Sequence, residues 1–292
     1  MKLAIIGNLD KPGLREAVQL LVSKVDQSGV DYVIDRNIMR LLESGGVRVD
    51  PSHACDNVQC IDEADILVSF GGDGTLLSAA RMVGARGTPI LGVNLGKLGF
   101  LAELAPDNMA DAIDDILAGK FVIEERLVLR ATLPSQPGKV FHAVNDIVVD
   151  KSRSSRLIDL VTHINGEYAV TYRGDGLIIS TPTGSTGYAL STGGPIVIPT
   201  SHVFGITPIS PHTLNGRPLI IPDSSVVRVV VQSQAEEVLL SSDGQVEAFL
   251  KPPVEVIVQK GEYTLKLVKR VDRSYFDVLR AKLLWGQDAR SL

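Results

Sequence analysis

The feature that most constrains this chain is a change of pattern near residue 120. Up to Gly119, short apolar runs alternate with stretches of helical periodicity. From Phe121 onward the helical period is lost and strand-like runs follow one another. Alternating strand and helix implies an α/β layer with a mostly parallel sheet, and successive short strands with turn residues imply a sandwich. A chain of 292 residues is long enough for two such units. The expected organisation is an α/β domain over 1–124 joined by 272–292, and a mainly β, sandwich-like domain over 125–271.

In the first part, Leu3 to Ile6 reads as a strand. Leu14, Val18, Leu21, Val22 and Val25 make one helical face, with Gly29 as the stop. Asp31 to Ile34 suits a second strand and Ile38 to Leu42 a short helix, while Arg48 to Cys60 is irregular. Asp107 is placed to cap a helix carrying Met109, Ile113, Ile116 and Leu117. In the second part, Phe121 to Leu133 and Val140 to Val149 read as strands. Asn165-Gly166 is a strong hairpin signal between Leu157–Ile164 and Tyr168–Tyr172. Lys260-Gly261-Glu262 reads as a further hairpin before a strand at Tyr263 to Val268. The last apolar period, Tyr275 to Leu284, is helical. It is expected to pack on the first domain, since a lone helix fits a sandwich poorly.

Composition excludes some classes. The formal net charge of −5 argues against a general nucleic-acid binder. No apolar run is long enough for a membrane span, and the start shows no basic region with a cleavage site. The expected compartment is the cytoplasm. Cys55 and Cys60, with His53 upstream, lack the spacing and fourth ligand of a zinc site, so a reduced, structurally neutral pair is expected.

The densest chemistry is Gly71-Gly72-Asp73-Gly74-Thr75, between the apolar run Ile66 to Phe70 and the periodic run Leu76 to Val83. That is strand, glycine turn, helix. Three glycines would permit positive φ and close backbone approach, and such a turn can offer N–H groups to phosphate. A carboxylate inside a phosphate-friendly turn repels phosphate unless it binds a metal or takes a proton from a nucleophile. Asp73 is thus a candidate base or metal ligand. Asn94 to Leu101, with two glycines, suggests another tight turn at the same sheet edge. The run from Arg173 and Asp175 through Thr186, Gly187, Tyr188, Ala189, Leu190 and Ser191 crowds hydroxyls and glycines around one aromatic. Hydroxyls suit ribose and phosphate oxygens, and Tyr188 suits stacking. Asn145-Asp146 pairs an amide with a carboxylate, and Asp243-Gly244-Gln245 reads as a hairpin turn. No Walker A motif and no dinucleotide fingerprint after the first strand is present, so a dinucleotide would need another kind of site.

With these residues in hand, the chain resembles the NAD kinase family over nearly its whole length. The Gly71–Thr75 motif is shared with diacylglycerol and sphingosine kinases and phosphofructokinases. Asn94 to Leu101, Asn145-Asp146, Asp175 to Pro195, His212-Thr213-Leu214 and Arg217-Pro218 are more specific. The resemblance implies a Rossmann-like first domain and a dinucleotide-binding, oligomerising second one. It implies transfer of the ATP γ-phosphoryl group to the 2′-hydroxyl of the adenosine ribose of NAD, with Mg²⁺ on the ATP. It implies a catalytic role for Asp73, with no dedicated metal ligands. Gly71, Gly72, Gly74, Thr75, Asn94, Asn145, Asp146, Arg156, Arg173, Asp175, Thr186 to Ser191 and Gln245 would bind the nucleotides. Asp146 stands where many members have Glu, and Gly187 where many have Ala. A homodimer or homotetramer is implied, with neither nucleic acid nor membrane as partner. Two rivals stand beside this reading, a lipid kinase of the same superfamily and a non-catalytic NAD(P) sensor.

Overall fold

The computed structural model describes residues 1–213, 215–271 and 274–284. They form two compact units: Met1–Glu125 with the described chain from Leu265 onward, and Arg126–Thr264.

The first unit is a parallel α/β layer. Its strands are β1 (Lys2–Gly7), β2 (Asp31–Asp35), β3 (Ala54–Cys55), β4 (Ile66–Gly71), β5 (Ile90–Asn94) and β6 (Phe121–Arg126). Between them run α1 (Leu14–Ser28), α2 (Arg36–Ser44), α3 (Asn57–Asp62), α4 (Asp73–Val83) and α5 (Met109–Leu117). All six residues of β4 are buried, as expected for a central parallel strand covered on both faces. Ile66, Val68 and Phe70 pack with the apolar stripes of α1, α2 and α5. Gly29 ends α1 in the left-handed region at φ 64°, and the Asp35 carboxylate accepts the N–H groups of Asn37 and Ile38 to start α2.

The second unit holds two six-stranded antiparallel sheets. Its strands are β7 (Leu129–Thr132), β8 (Val140–Ala143), β9 (Asp146–Asp150), β10 (Ile158–Ile164), β11 (Glu167–Gly174), β12 (Gly176–Ser180), β13 (Val203–Ile209), β14 (Leu219–Pro222), β15 (Val227–Gln232), β16 (Val238–Ser242), β17 (Gln245–Leu250) and β18 (Val254–Lys260), with one short helix, α6 (Tyr188–Ser191). One sheet runs β11-β10-β15-β18-β7-β8 and the other β14-β13-β12-β9-β16-β17. Alternate residues such as Val227, Val229 and Val231 meet Ile147, Val149, Leu177 and Ile179 in one core, the packing of a sandwich. The Asn165-Gly166 hairpin forms, with φ of 52° and 87°.

The remaining elements, β19 (Leu265–Arg270) and α7 (Tyr275–Leu283), belong to the first unit. Its sheet order is β3-β2-β1-β4-β5-β19-β6. The expectation that Tyr263 to Val268 continues the sandwich is therefore corrected, as is the hairpin at Lys260-Gly261-Glu262. The alternation of the segment identifies a strand, but pairing Leu267 with Ile90 of β5 is a long-range choice invisible to periodicity. Val140 to Val149 is two strands in different sheets, broken at Val144-Asn145. Asp107 lies in a 3₁₀ turn, Pro106–Asn108, and does not cap α5. Arg48 to Cys60 contains β3 and the start of α3. Cys55 and Cys60 are disulfide-bonded, contrary to the reduced pair expected. The step from β3 into α3 folds the second cysteine back, with Cα atoms 5.5 Å apart, inside bridging range. Among the described residues no helix is long and apolar enough to cross a membrane. Residues 272–273 and 285–292 of the assigned domain span, and Leu214 of the His212-Thr213-Leu214 stretch, lie outside the described residues.

Candidate active site

At the end of β4 the chain passes through Gly71 and Gly72 into α4, whose first residue is Asp73. None of Gly71, Gly72 and Gly74 has a positive φ, which corrects the reason given for them above. Gly71 is required for close packing: a Cβ there would stand 2.2 Å from the Thr75 hydroxyl oxygen. Gly72 and Gly74 have nothing within 4 Å of a Cβ, so they keep open space over the helix start. An open recess of about 250 Å³ lies beside that start, lined by Gly7, Asn8, Gly74, Thr75 and Ser78 among others.

The Asp73 carboxylate is firmly held. Its Oδ2 accepts the N–H of Phe100 at 2.8 Å, and its Oδ1 accepts those of Leu101 and Ala102 at 3.0 Å each. An ionised carboxylate has about four acceptor positions, so three are filled and one, on Oδ2, is left. The donors lie on a strap, 99–104, which runs beside β5. The Leu104 carbonyl accepts the Asn94 N–H at 2.8 Å, and the Leu104 N–H donates to Gly92 at 3.3 Å. Gly99 leaves no room for a side chain, since a Cβ would come within 2.0 Å of Asp73 Oδ1. Asn94 is buried, and its amide shapes the turn: Nδ2 donates to the Lys97 carbonyl at 2.5 Å and Oδ1 accepts the Gly96 N–H at 3.0 Å. No local signal pointed to the strap as the partner of Asp73, although Asn94 to Leu101 had been singled out.

In the second unit, the structure brings Asn145-Asp146 and the 181–187 loop together. Thr181 Oγ1 donates to the Val144 carbonyl at 2.6 Å and accepts the Gly184 N–H at 3.0 Å. A Cβ on Gly184 would stand 2.1 Å from the Asn145 carbonyl oxygen. Segment 144–146 is also gripped from below. The Asp243 carboxylate accepts the N–H groups of Val144 at 2.9 Å, Asn145 at 2.6 Å and Asp146 at 3.2 Å. Asp243 does form the expected hairpin turn, at φ 50°, but its clamping role was not legible. An Asp-Gly turn looks the same whether or not its carboxylate reaches a segment 97 to 99 residues away.

The outward face of β9 and β12 carries Asp146, Asp150 and the adjoining Asp175. Burial pushes the Asp146 carboxyl up to about 7, with Asp243 adding to the shift. Burial also raises Asp150, and Asp175 adds to it, while the Ser152 N–H works the other way. Asp175 is paired with Lys151 at 2.7 Å. The half-exposed Tyr188 phenol is raised by burial first, then by Asp150, Asp175 and Asp146. Ala189 is buried against Val148, Ile178 and Ile209, so it seats α6 on the sheet. Thr186 and Ser191 hydroxyls donate to the Thr183 and Tyr188 carbonyls. Gly187 lies beside Asn145, where a Cβ would be 3.9 Å from its Nδ2.

Arg156 follows the far end of β9 and donates to Gln234 Oε1 at 2.7 Å, beside an open recess of about 480 Å³. Arg173 is exposed, 3.8 Å from Asp159. Gln245 is exposed at the start of β17, two residues after Asp243. Among the described residues no group of three or more His, Cys, Asp or Glu side chains could hold a metal ion.

Residues 3–121 match the family model of the ATP-NAD kinase N-terminal domain, and residues 144–270 that of the ATP-NAD kinase C-terminal domain. An NAD kinase of Bacteroides fragilis is 39% identical over 298 residues, covering 99% of this chain and all of the relative. The chain belongs to the NAD kinase family. Another NAD kinase, from Geobacter metallireducens, is 41% identical over 288 residues, covering 98% of this chain and 99% of its own length. Yeast NADH kinase complexed with NADH superposes with a TM-score of 0.90 at 27% identity, covering this whole chain and 90% of that one. An NAD kinase from Archaeoglobus fulgidus in complex with ATP shares the fold, with a TM-score of 0.75 at 24% identity over 96% of this chain and 99% of its own. Membership of the NAD kinase family through both halves sets the lipid-kinase rival aside.

Proposed function

We propose that this NAD kinase family member transfers the γ-phosphoryl group of ATP to the 2′-hydroxyl of the adenosine ribose of NAD, giving NADP. The observation that carries the mechanism is the Asp73 carboxylate, anchored by three N–H groups with one acceptor position left. That position takes the hydroxyl proton as the oxygen attacks the γ-phosphorus. ADP leaves with the electrons of the broken bond. Phosphoryl transfer depends on positioning and charge stabilisation more than on covalent help. A positioned base of this kind contributes on the order of 10²- to 10⁴-fold.

The recess at Gly7, Asn8, Gly74 and Thr75 is our candidate for the triphosphate, because Gly72 and Gly74 leave the helix start uncovered. Asn145, Asp146, Asp175, Thr186 to Ser191 and Gln245 are proposed for the dinucleotide. Asn145 and Asp146 offer a carboxamide and a carboxyl side by side to ribose hydroxyls or a base edge. Arg156 and Arg173 are proposed as outer contacts. A divalent cation such as Mg²⁺ is proposed to arrive on the ATP, held mainly by its phosphates. A cytoplasmic homodimer or homotetramer is the proposed setting, read by light scattering.

The test is a coupled assay of the purified protein with NAD, Mg²⁺ and ATP. NADP formed in proportion to ADP is the expected result. Binding of NAD without turnover under these conditions would instead favour the sensor reading.

A further inference from the structure

The strap that holds Asp73 is itself held by the C-terminal segment. Glu103, on the strap, forms an ion pair with Lys269 of β19 at 2.5 Å, the two side chains only 14% and 11% exposed. β19 pairs with β5 where Leu267 faces Ile90. Two residues further, at the level of Gly92, β5 bonds to Leu104 of the strap instead. Lys269 thus sits where strand pairing gives way to the strap. A partly open recess of about 40 Å³ lies at this joint, lined by Gly92, Leu101, Glu103, Leu104, Leu267 and Lys269 among others. Lys282 of α7 gives a second contact, 5.0 Å from the centre of the Phe100 ring. The two contacts bracket the three N–H donors at 100–102.

We infer that Lys269 and Glu103 are positioning residues for phosphoryl transfer: their ion pair sets the strap whose N–H groups aim the Asp73 carboxylate. The inference rests on the reading of Asp73 as the base. Loss of one partner removes a charge-assisted contact between two largely buried side chains. A strap shifted by about 1 Å can cost on the order of 10²-fold in rate without touching substrate.

The experiment is a double-mutant cycle on the full chain. Lys269→Met and Glu103→Gln are expected to lower kcat about 10- to 30-fold, with KM for NAD and ATP within about twofold. In an Asp73→Asn background, Lys269→Met should change the residual rate by less than about twofold, since the group it aims is gone. Amide exchange of 99–104, followed by mass spectrometry, should quicken in the single variants. If Lys269→Met does not fold, Lys269→Arg and the exchanged pair E103K/K269E carry the same test, with kcat and exchange moving together. Exchange and kcat both at parental values in Lys269→Met, either one moving without the other, or an equal loss in both backgrounds overturns the inference. Parental turnover by Asp73→Asn overturns the base assignment itself, a result distinct from parental turnover by Lys269→Met alone.

Discussion

One aspartate in each unit grips a row of backbone N–H groups far away in the sequence. Asp73 accepts three successive backbone N–H groups, from Phe100, Leu101 and Ala102. Asp243 accepts three more, from Val144, Asn145 and Asp146. Each carboxylate accepts a row of N–H groups and so helps fix the segment that carries them, although Asp146 is also held by pairing with Ser180. The difference lies in which partner carries chemistry. The strap at 100–102 has only apolar side chains, so the proposed working group is Asp73. The segment at 144–146 carries Asn145 and Asp146, so the proposed working groups are on the segment and Asp243 is their support. One device aims a carboxylate, and the other uses a carboxylate to aim a loop.

The sharpest way to break this comparison is to neutralise each aspartate. Asp73→Asn is expected to lower turnover by about 10²- to 10⁴-fold while NAD affinity, read by calorimetry, stays within about threefold. Asp243→Ala should show the converse weighting. Its three donors lose a charged acceptor, so NAD binding weakens by about 10- to 100-fold and urea unfolding shows a loss of roughly 2–3 kcal/mol. Were Asp243→Ala to impair turnover at saturating NAD as severely as Asp73→Asn, the division of roles would be wrong.

Glycines beside the two devices sharpen it further. Gly184→Ala drives a Cβ onto the Asn145 carbonyl, 2.1 Å away, and backbone cannot swing aside. A loss of about 2 kcal/mol or more in unfolding free energy is expected, together with weaker NAD binding. Gly99→Ala meets the Asp73 carboxylate oxygen at 2.0 Å, so the carboxylate must leave the N–H groups that hold it. The expected cost falls on kcat, about tenfold or more, with a smaller loss of stability. Equal effects of the two substitutions on melting temperature would argue against the contrast.

The smallest effect concerns pH. Burial, then Asp243, pushes the Asp146 carboxyl up to about 7. In the unfolded chain it ionises near 3.8. Between those values the folded state keeps a proton that the unfolded state has lost. The stability linked to that proton is complete below about 4 and declines as pH rises through about 7. Asp146→Asn removes this dependence. It should gain stability relative to the parent on going from pH 5 to pH 8, by on the order of 1–3 kcal/mol in urea titrations. A constant difference across that range would show that Asp146 is not buried as described.

Asp73, Asn145-Asp146 and the 181–191 run were legible because local chemistry marks them. A carboxylate in a glycine turn after an apolar strand, or an amide beside a carboxylate at a strand start, is unusual within a few residues. The reasons were less legible than the positions: Gly71 serves Thr75 by proximity and not by a positive φ. Asn94 was expected at the ligand, and its amide also shapes its own turn, with one N–H and one lone pair left over. Asp243 was read only as a turn, since its partners are about a hundred residues away.

The sequence by itself determined the periodicities, and with them the parallel layer, the sandwich and the principal polar clusters. Apolar spacing is a local property and survives without coordinates. Tertiary structure alone decided that Leu265–Arg270 joins the parallel sheet, that Cys55 meets Cys60, and that two rows of N–H groups converge on Asp73 and Asp243. Those are choices among distant partners of similar local pattern, settled by which pairing leaves the fewest buried polar groups unbonded and the least apolar surface in water.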